Sequence, residues 1–453
     1  MEILVTELSR YAIVLIMALY TYWGFLAFAA KKKKRIKLFK KQRFLLYVFH
    51  FLGHFILYLN NPDFLLIGLY ASELVFFIFS NFIYKKIYGR NNRPIFNQIH
   101  MLLAISLVML ARLNVDSAKK QFVYAVAGMT VCMILPWLLE HMKNLEKEGW
   151  FYAVLGLIIL LVVLFFGKEK YGAKNWLNVG PVILQPSEFV KILYVFAFAS
   201  ILSQEETLNF KKVKTISIMA AAFVLVLVLE KDLGAASIFF ISYLFMLYCA
   251  TGKERYLFAG GSAGAVAATV AYFLFRHVRT RVIAWKDPWS HIDNQGYQVA
   301  QSLFAIGTGG WFGMGLLQGL PNSVPIRESD FIFSAIAEEL GGLFAIFLIL
   351  VYIHCFICFI SISAKVKNRF YKLTGIGFSV MMMFQTFLTL GGVTKFIPST
   401  GVTLPLVSYG GSSVLSVIVI FCTMASIDKI GDKELREENE QEKDVQQGDE
   451  NGN

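Results

Sequence analysis

Residues 150–167 read Trp-Phe-Tyr-Ala-Val-Leu-Gly-Leu-Ile-Ile-Leu-Leu-Val-Val-Leu-Phe-Phe-Gly, eighteen positions without one charge. A run of this length and polarity can cross the hydrocarbon layer of a bilayer, about 30 Å thick, as a helix. The same ruler applied outward predicts spans at 9–30, 44–60, 62–84, 98–114, 119–139, 187–203, 214–230, 234–250, 256–275, 331–353, 374–393 and 404–427, thirteen in all. The whole composition agrees, with 57% of the 453 residues hydrophobic and 16% charged, where soluble domains carry about a quarter charged residues. A water-soluble globular protein, a disordered chain and a nucleic-acid binder with an open basic surface are thereby excluded, despite a net charge of +12. The five cysteines lie within apolar runs, which argues against a disulfide framework or a thiolate zinc site. Cys355 and Cys358 read as neighbours on one lipid-buried helix. The fold class expected is an all-α polytopic membrane protein.

Lys and Arg set the orientation of such a chain. With the N-terminus outside and the C-terminus inside, the segments 31–43, 85–97, 140–149, 204–215, 251–255, 365–373 and the tail from 428 face the cytoplasm, and they hold 28 of the 43 basic residues. The first span lacks a basic n-region and a small-residue cleavage site, so it reads as a retained anchor rather than a signal peptide. The tail, 428–453, carries ten acidic and four basic residues and almost nothing apolar, and is expected to be disordered. Three polar stretches remain for the outer face: 168–186, 276–330 and 394–403. The middle one is far longer than an ordinary connection. It carries Trp285, Trp289, Tyr297, Phe304 and Trp311, which favours packing onto the mouth of the bundle.

Ionisable residues within spans are costly and default to functional candidates. Here they are Glu73, Glu188, Lys191, Glu230, Asp232, Glu338 and Glu339. Glu188 and Lys191 are three apart on one helix and can pair. Glu338 and Glu339 diverge by about 100° on a helix, so at most one points fully at a central cavity. Asp232 interrupts two apolar runs, and on a helix Lys231 points elsewhere, so nothing local in sequence neutralises it. A carboxylate partly withdrawn from water is a stronger proton acceptor, which suits a general base.

Six glycines fall within residues 307–319, and Arg276, Arg279, Arg281 and Lys286 stand just upstream. The glycines do not form a dinucleotide fingerprint, because Phe312 stands where a third glycine is needed. Such a loop either cradles an anion on its backbone N–H groups or lets helices approach closely. Guanidinium forks suit phosphate oxygens. The combination suggests a phosphate-bearing, lipid-linked substrate. His50 and His54 have the i, i+4 spacing of a metal face, but no third ligand lies near in sequence, and no metal-ligating residue is expected.

From about residue 98 to 427 the chain resembles the SEDS family of bacterial wall synthesis (RodA, FtsW, SpoVE). The resemblance rests on ordered blocks: Gly172-Ala173-Lys174-Asn175-Trp176-Leu177, Gln185-Pro186-Ser187-Glu188-Phe189-Val190-Lys191, Lys231-Asp232-Leu233-Gly234, Asp287-Pro288 and Gly296-Tyr297-Gln298. Then follow Gln318-Gly319, Ser329-Asp330-Phe331-Ile332-Phe333, Glu338-Glu339-Leu340-Gly341, Pro398-Ser399-Thr400-Gly401-Val402-Thr403-Leu404-Pro405 and Ser408-Tyr409-Gly410-Gly411-Ser412-Ser413. The resemblance implies a ten-helix core over 98–427 with the large extracytoplasmic loop 276–330. Residues 1–97 then form an addition of about three transmembrane helices, which places the N-terminus outside.

The resemblance also implies a multi-pass protein of the bacterial cytoplasmic membrane that polymerises lipid II, the undecaprenyl-pyrophosphate-linked disaccharide peptide, beside a class B penicillin-binding protein transpeptidase. Division, elongation and sporulation remain open as its setting. The family's essential acid maps onto Asp232, as the base of an inverting glycosyl transfer. The leaving pyrophosphate would be held by Arg279, Arg281 or Lys174, with a divalent cation (Mg or Mn) as a further counter-charge and no organic cofactor. Glu188, Lys191, Gln298, Ser408 and Ser412 join them as substrate-binding residues on the family's blocks. Two departures stand out. Asn175 replaces the family's usual Arg before the loop tryptophan, and Glu230-Lys231 replaces its Gln-Pro. The proline kink is thus missing, and Glu230, if ionised and close, would raise the pKa of Asp232 further. A lipid II flippase and a non-catalytic scaffold for wall enzymes are the alternatives.

Overall fold

The computed structural model describes residues 2–89, 93–141, 145–170, 173–180, 182–204 and 208–450. Gly172, which opens the first family block, lies outside them. Three helices come first: α1 (Glu2–Ala29), α2 (Lys32–Asn60) and α3 (Phe64–Ile87). Then follow α4 (Arg93–Leu113), α5 (Val115–Val131), the short α6 (Leu135–His141) and α7 (Gly149–Phe166). A three-stranded antiparallel sheet, β1 (Lys168–Lys170), β2 (Ala173–Val179) and β3 (Val182–Leu184), leads into α8 (Pro186–Ser203). The second half holds α9 (Phe210–Leu229), α10 (Leu233–Thr251), α11 (Arg255–Leu274), α12 (Arg276–Lys286), α13 (Tyr297–Gly309), α14 (Ile332–Leu340), α15 (Gly342–Lys365), α16 (Arg369–Val393) and α17 (Gly411–Glu450).

Among the described residues twelve helices are long and apolar enough to span a membrane, one fewer than the sequence reading predicts. The missing one is 44–60, which is only the apolar half of α2; its other half begins Lys32-Lys33-Lys34-Arg35. The run 331–353 is also divided. Gly341, at φ +93°, breaks it into the buried α14 and the spanning α15, which continues to Lys365. The family-like core accordingly starts at α4, a few residues before the expected boundary.

Helix α4 explains the packing. Its residues Ile95–Ala111 are buried without interruption. A helix buried on every side, polar Asn97, Gln98, His100 and Ser106 included, has to be enclosed by protein, and α2, α3, α5, α15 and α17 enclose it. The three N-terminal helices therefore belong to the bundle rather than trailing from it. Helix α11 is the opposite case: none of its residues is buried, and it leans mainly on α10 and α12.

The acidic tail differs from its expected disorder. Helix α17 continues to Glu450, and over 428–438 it is tied to its neighbours: Asp428 and Asp432, one turn apart, both meet Lys365, while Lys367 Nζ pairs with Glu438 at 2.6 Å. Charges with partners on the neighbouring α15–α16 connection give this segment a reason to stay helical.

At the other end of the bundle the sheet, the 276–330 segment and the 394–403 turn converge. Trp285 Nε1 donates to the Lys395 carbonyl at 3.1 Å, and Ser302 Oγ to that of Val393 at 2.9 Å.

Candidate active site

The α9–α10 junction is built without proline. Glu230 caps α9, and Lys231 takes the left-handed conformation at φ +63°. The amide of Lys231 then donates to the Val228 carbonyl at 3.0 Å, and the amide of Asp232 to that of Leu227 at 2.9 Å. These two bonds are the Schellman closure, usually made with glycine at the left-handed position. The turn sends the Lys231 side chain outward toward Glu169, 3.6 Å away, and leaves Asp232 to cap the next helix. Asp232 Oδ1 accepts from the Ala235 amide at 3.0 Å. One residue thus closes α9 with its amide and opens α10 with its carboxylate.

The other carboxylate oxygen, Oδ2, accepts from Asn175 Nδ2 at 2.7 Å and from Gln185 Nε2 at 3.3 Å. No cation lies within ion-pair distance of Asp232 among the described residues. The carboxylate lines a cavity of about 370 Å³ together with Arg281, Asp330, Ser412 and Tyr409, a volume suited to a small-molecule head group. The cavity floor is polar. Lys191 Nζ donates to Glu188 Oε1 at 2.6 Å and to Gln385 Oε1 at 3.0 Å, and Ser416 Oγ to Glu188 Oε2 at 2.9 Å. Glu188 and Lys191 do pair, and each charge is satisfied within the protein. Ser412 Oγ accepts the Gln185 amide at 3.0 Å, tying α17 to the start of α8.

Electrostatics assign the protons around this cavity. Burial, and then the charge of Asp232, push the Glu230 carboxyl up to about 8. Glu230 therefore holds its own proton near neutral pH and adds no second negative charge beside Asp232. Both of its side-chain oxygens lack a hydrogen-bond partner among the described residues. Arg281 is partly withdrawn from water, which lowers its affinity for its proton, while Asp330 and Asp232 oppose that effect. Burial raises Asp330, with Ser329 and Arg281 pulling the other way. Arg281 Nη1 also donates to the Ser399 carbonyl at 3.2 Å, fixing the guanidinium on the cavity wall.

Four of the anticipated binding residues stay away from the cavity. Lys174 precedes Asn175 on β2, where neighbours face opposite sides; its Nζ donates to the Phe165 carbonyl at 3.2 Å. Arg279 lies two residues before Arg281 and so on another face of α12. It is exposed and donates to the Phe273 carbonyl at 3.0 Å. Gln298 is exposed, because α13 turns Val299 and Ala300 inward instead. Ser408 is buried, accepting from the Leu404 amide at 2.9 Å and donating to the Ser329 carbonyl at 2.5 Å; it holds two loops together.

The glycine-rich segment does cradle anions, but they are the protein's own. Both Glu338 and Glu339 face it: the Leu320 amide donates to Glu338 Oε1 at 3.0 Å and the Leu317 amide to Glu339 Oε2 at 3.3 Å. Arg112 Nε adds a bond to Glu339 Oε1 at 2.9 Å. A Cβ at Gly309 would lie 2.1 Å from the Ala337 carbonyl oxygen, which explains the glycine there. Sequence reasoning missed Gln185 and Asp330 as cavity residues. Both stand in quoted family blocks, and Asp330 could have been noticed as an acid in the soluble-looking stretch just before an apolar run.

In the family-like core no three metal-ligating groups converge among the described residues. The one such group lies elsewhere, where Glu73 of α3 joins His50 and His54 of α2. It supplies the third ligand absent from the neighbourhood of the histidines in sequence.

Comparison with known proteins agrees with this architecture. RodA of Mycobacterium tuberculosis, a peptidoglycan glycosyltransferase, is 34% identical over 367 residues, covering 75% of this chain and 78% of its own. A probable peptidoglycan glycosyltransferase FtsW of Buchnera aphidicola is 34% identical over 293 residues, covering 62% of this chain and 82% of its own. Among solved structures, a peptidoglycan synthase complex that coordinates polymerization and crosslinking superposes with a TM-score of 0.63 at 25% identity, covering 74% of this chain and 97% of that one. The rod shape determining protein RodA of Thermus thermophilus gives 0.55 at 23% identity, covering 74% and 95%. The cell cycle protein family of FtsW, RodA and SpoVE matches residues 93–432, and this chain, a multi-pass protein of the bacterial cytoplasmic membrane, belongs to that family.

Proposed function

We propose that the chain is a peptidoglycan glycosyltransferase of cell-wall synthesis, with the cavity at Asp232 as its polymerising site. The observation that carries this reading is a carboxylate with no ion-pair partner among the described residues, held by Asn175 and Gln185 on a cavity that also presents Arg281. The substrate is lipid II, met at the outer membrane surface. The basic bias of the opposite segments supports that face for the cavity, with the C-terminus inside; an N-terminus outside would further require the apolar half of α2 to cross as a thirteenth span.

In this mechanism Asp232 accepts the proton of the acceptor sugar's 4-hydroxyl. The freed oxygen attacks the anomeric carbon of the growing strand with inversion, and the lipid pyrophosphate departs with the bonding electrons. Pyrophosphate is already a good leaving group, so one base and charge stabilisation suffice. Arg281 supplies that charge from the cavity wall. Glu188 and Lys191, satisfied by each other, shape the floor, and Ser412 sets the rim. Asp330 and Asp232 are the carboxylates that would share a Mg or Mn ion with substrate phosphates, an ion that would screen the developing charge. The superposition on a peptidoglycan synthase complex supports a class B penicillin-binding protein as transpeptidase partner.

The test is polymerisation of labelled lipid II by the purified chain with its transpeptidase. Asp232→Asn keeps a side-chain oxygen to cap α10, so the fold is spared while the base is lost. No glycan should form. Normal polymer from this variant would overturn the assignment, and lipid II flipping without polymer by the parent chain would favour a transporter.

A further inference from the structure

Helices α2 and α3 carry a second polar cluster, wholly outside the family match at residues 93–432. His50 and His54 stand one turn apart on α2 and face Glu73 on α3. All three are buried, at 0%, 3% and 0% exposure. Their ligand atoms lie within 4.8 Å of one another. His50 Nε2 is 2.7 Å and His54 Nε2 3.3 Å from the same oxygen, Glu73 Oε2.

The hydrogen bonds leave the cluster short of positive charge. His54 Nδ1 lies 3.2 Å from the His50 carbonyl oxygen, which can only accept, so Nδ1 carries the proton. In the neutral ring Nε2 is then a bare lone pair aimed at a carboxylate oxygen. Neither His54 Nε2 nor Glu73 Oε1 has a hydrogen-bond partner among the described residues, and His50 Nδ1 also lacks one. Lone pairs turned on each other in a dry interior repel, and a buried carboxylate needs a compensating cation. Two imidazoles and one carboxylate are the donor set of three-ligand zinc sites, which leave a fourth position to water. The second nitrogen of His54 is already fixed by a carbonyl, as is usual for ligating histidines. Metal–ligand bonds near 2.1 Å place neighbouring ligand atoms about 3.4 Å apart in a tetrahedron. The 3.3 Å contact already fits, and the 2.7 Å contact must open by less than 1 Å.

We infer that His50, His54 and Glu73 form a binding site for a divalent transition cation of zinc's class, clamping α2 to α3 inside the bundle. The partly exposed Tyr70, whose ring centroid is 5.1 Å from that of His50 and 5.6 Å from that of His54, covers the site. The site is independent of sugar transfer at Asp232.

The experiment uses the full chain in detergent, stripped with chelator and then equilibrated with Zn2+ or Co2+. The expected result is about one Zn2+ per chain, the visible d–d absorption of four-coordinate Co2+, and a higher thermal midpoint with metal. Glu73→Gln and His54→Ala should each weaken binding by at least roughly tenfold. Lipid II polymerisation measured alongside separates this site from the glycosyltransferase reading, since each can fail alone. A parent chain that takes up no metal and gives no Co2+ band overturns the proposal, whatever the variants do. So does metal uptake unchanged in a variant that elutes as a folded monodisperse species. The parent chain's Co2+ spectrum requires no variant to fold.

Discussion

Asn175 Nδ2 lies 2.7 Å from Asp232 Oδ2 across the gap between the β-sheet and the α9–α10 turn. Asn175, which stands where the resemblance leads one to expect an arginine, is therefore the residue that grips the acid. An amide donor orients a carboxylate without neutralising it, whereas a guanidinium would form an ion pair. The proposed role of Asp232 as a proton acceptor is compatible with the first arrangement.

Asn175→Ala should lower kcat for glycan synthesis by roughly ten- to a hundredfold, the scale expected when a reacting group loses its alignment. KM for lipid II should change less than kcat. Steady-state polymerisation in reconstituted membranes checks both. Unchanged kcat would mean that Gln185 alone positions the carboxylate.

Arg281 and Arg279 should separate cleanly. Arg281 lines the cavity, while Arg279 is exposed and bonded to the Phe273 carbonyl. Arg281→Ala should reduce turnover by roughly a hundredfold, the usual loss for a group stabilising developing charge. Arg279→Ala should stay within about twofold of the parent. Equal losses from both variants would place the charge contact elsewhere.

Glu230 makes stability depend on pH. Burial lifts its carboxyl from the ordinary 4.5 to about 8, so in that window the unfolded chain has released a proton that the folded chain retains. The contribution of this group to stability is present below about pH 4.5 and is lost as pH rises toward 8. Glu230→Gln should therefore flatten the fall in thermal midpoint between those limits. Scanning fluorimetry at pH 5 and pH 8 reads the difference, and an unaltered slope in the variant would show that other groups produce it.

Removing Arg112 should act on stability rather than chemistry. Its partner Glu339 is fully buried under the glycine-rich segment. Breaking such a pair from one side costs about 3–5 kcal/mol, because a charge is left unpaired. Arg112→Ala should lower the thermal midpoint markedly, while the fraction that remains folded polymerises lipid II at the parent rate. Activity per folded molecule is the deciding quantity.

Much of this was legible before any coordinates. Apolar runs reveal most spans, because a bilayer imposes one length on every helix that crosses it. Asp232 was legible for a related reason: a charge between two such runs has no local partner. The break at Gly341 was hidden, since apolar residues flank it on both sides and burial within protein looks like burial in lipid. Register was hidden too. Arg279 and Arg281, or Lys174 and Asn175, differ by one or two positions, and only the packing of α12 and β2 decides which side chain turns inward. The meeting of Glu73 with His50 and His54 depends on how two helices dock, which no local pattern encodes.

The junction that bears Asp232 joins helices of 20 and 19 residues, each about 28–30 Å long. Both stop at the same plane, so the acid hangs from a hairpin whose legs are one hydrocarbon thickness deep. If Asp232 is the base proposed above, acyl-chain length should act as a ruler for the reaction. Thicker or thinner lipid would shift the carboxylate relative to the head groups, with tilting of the legs absorbing part of the mismatch.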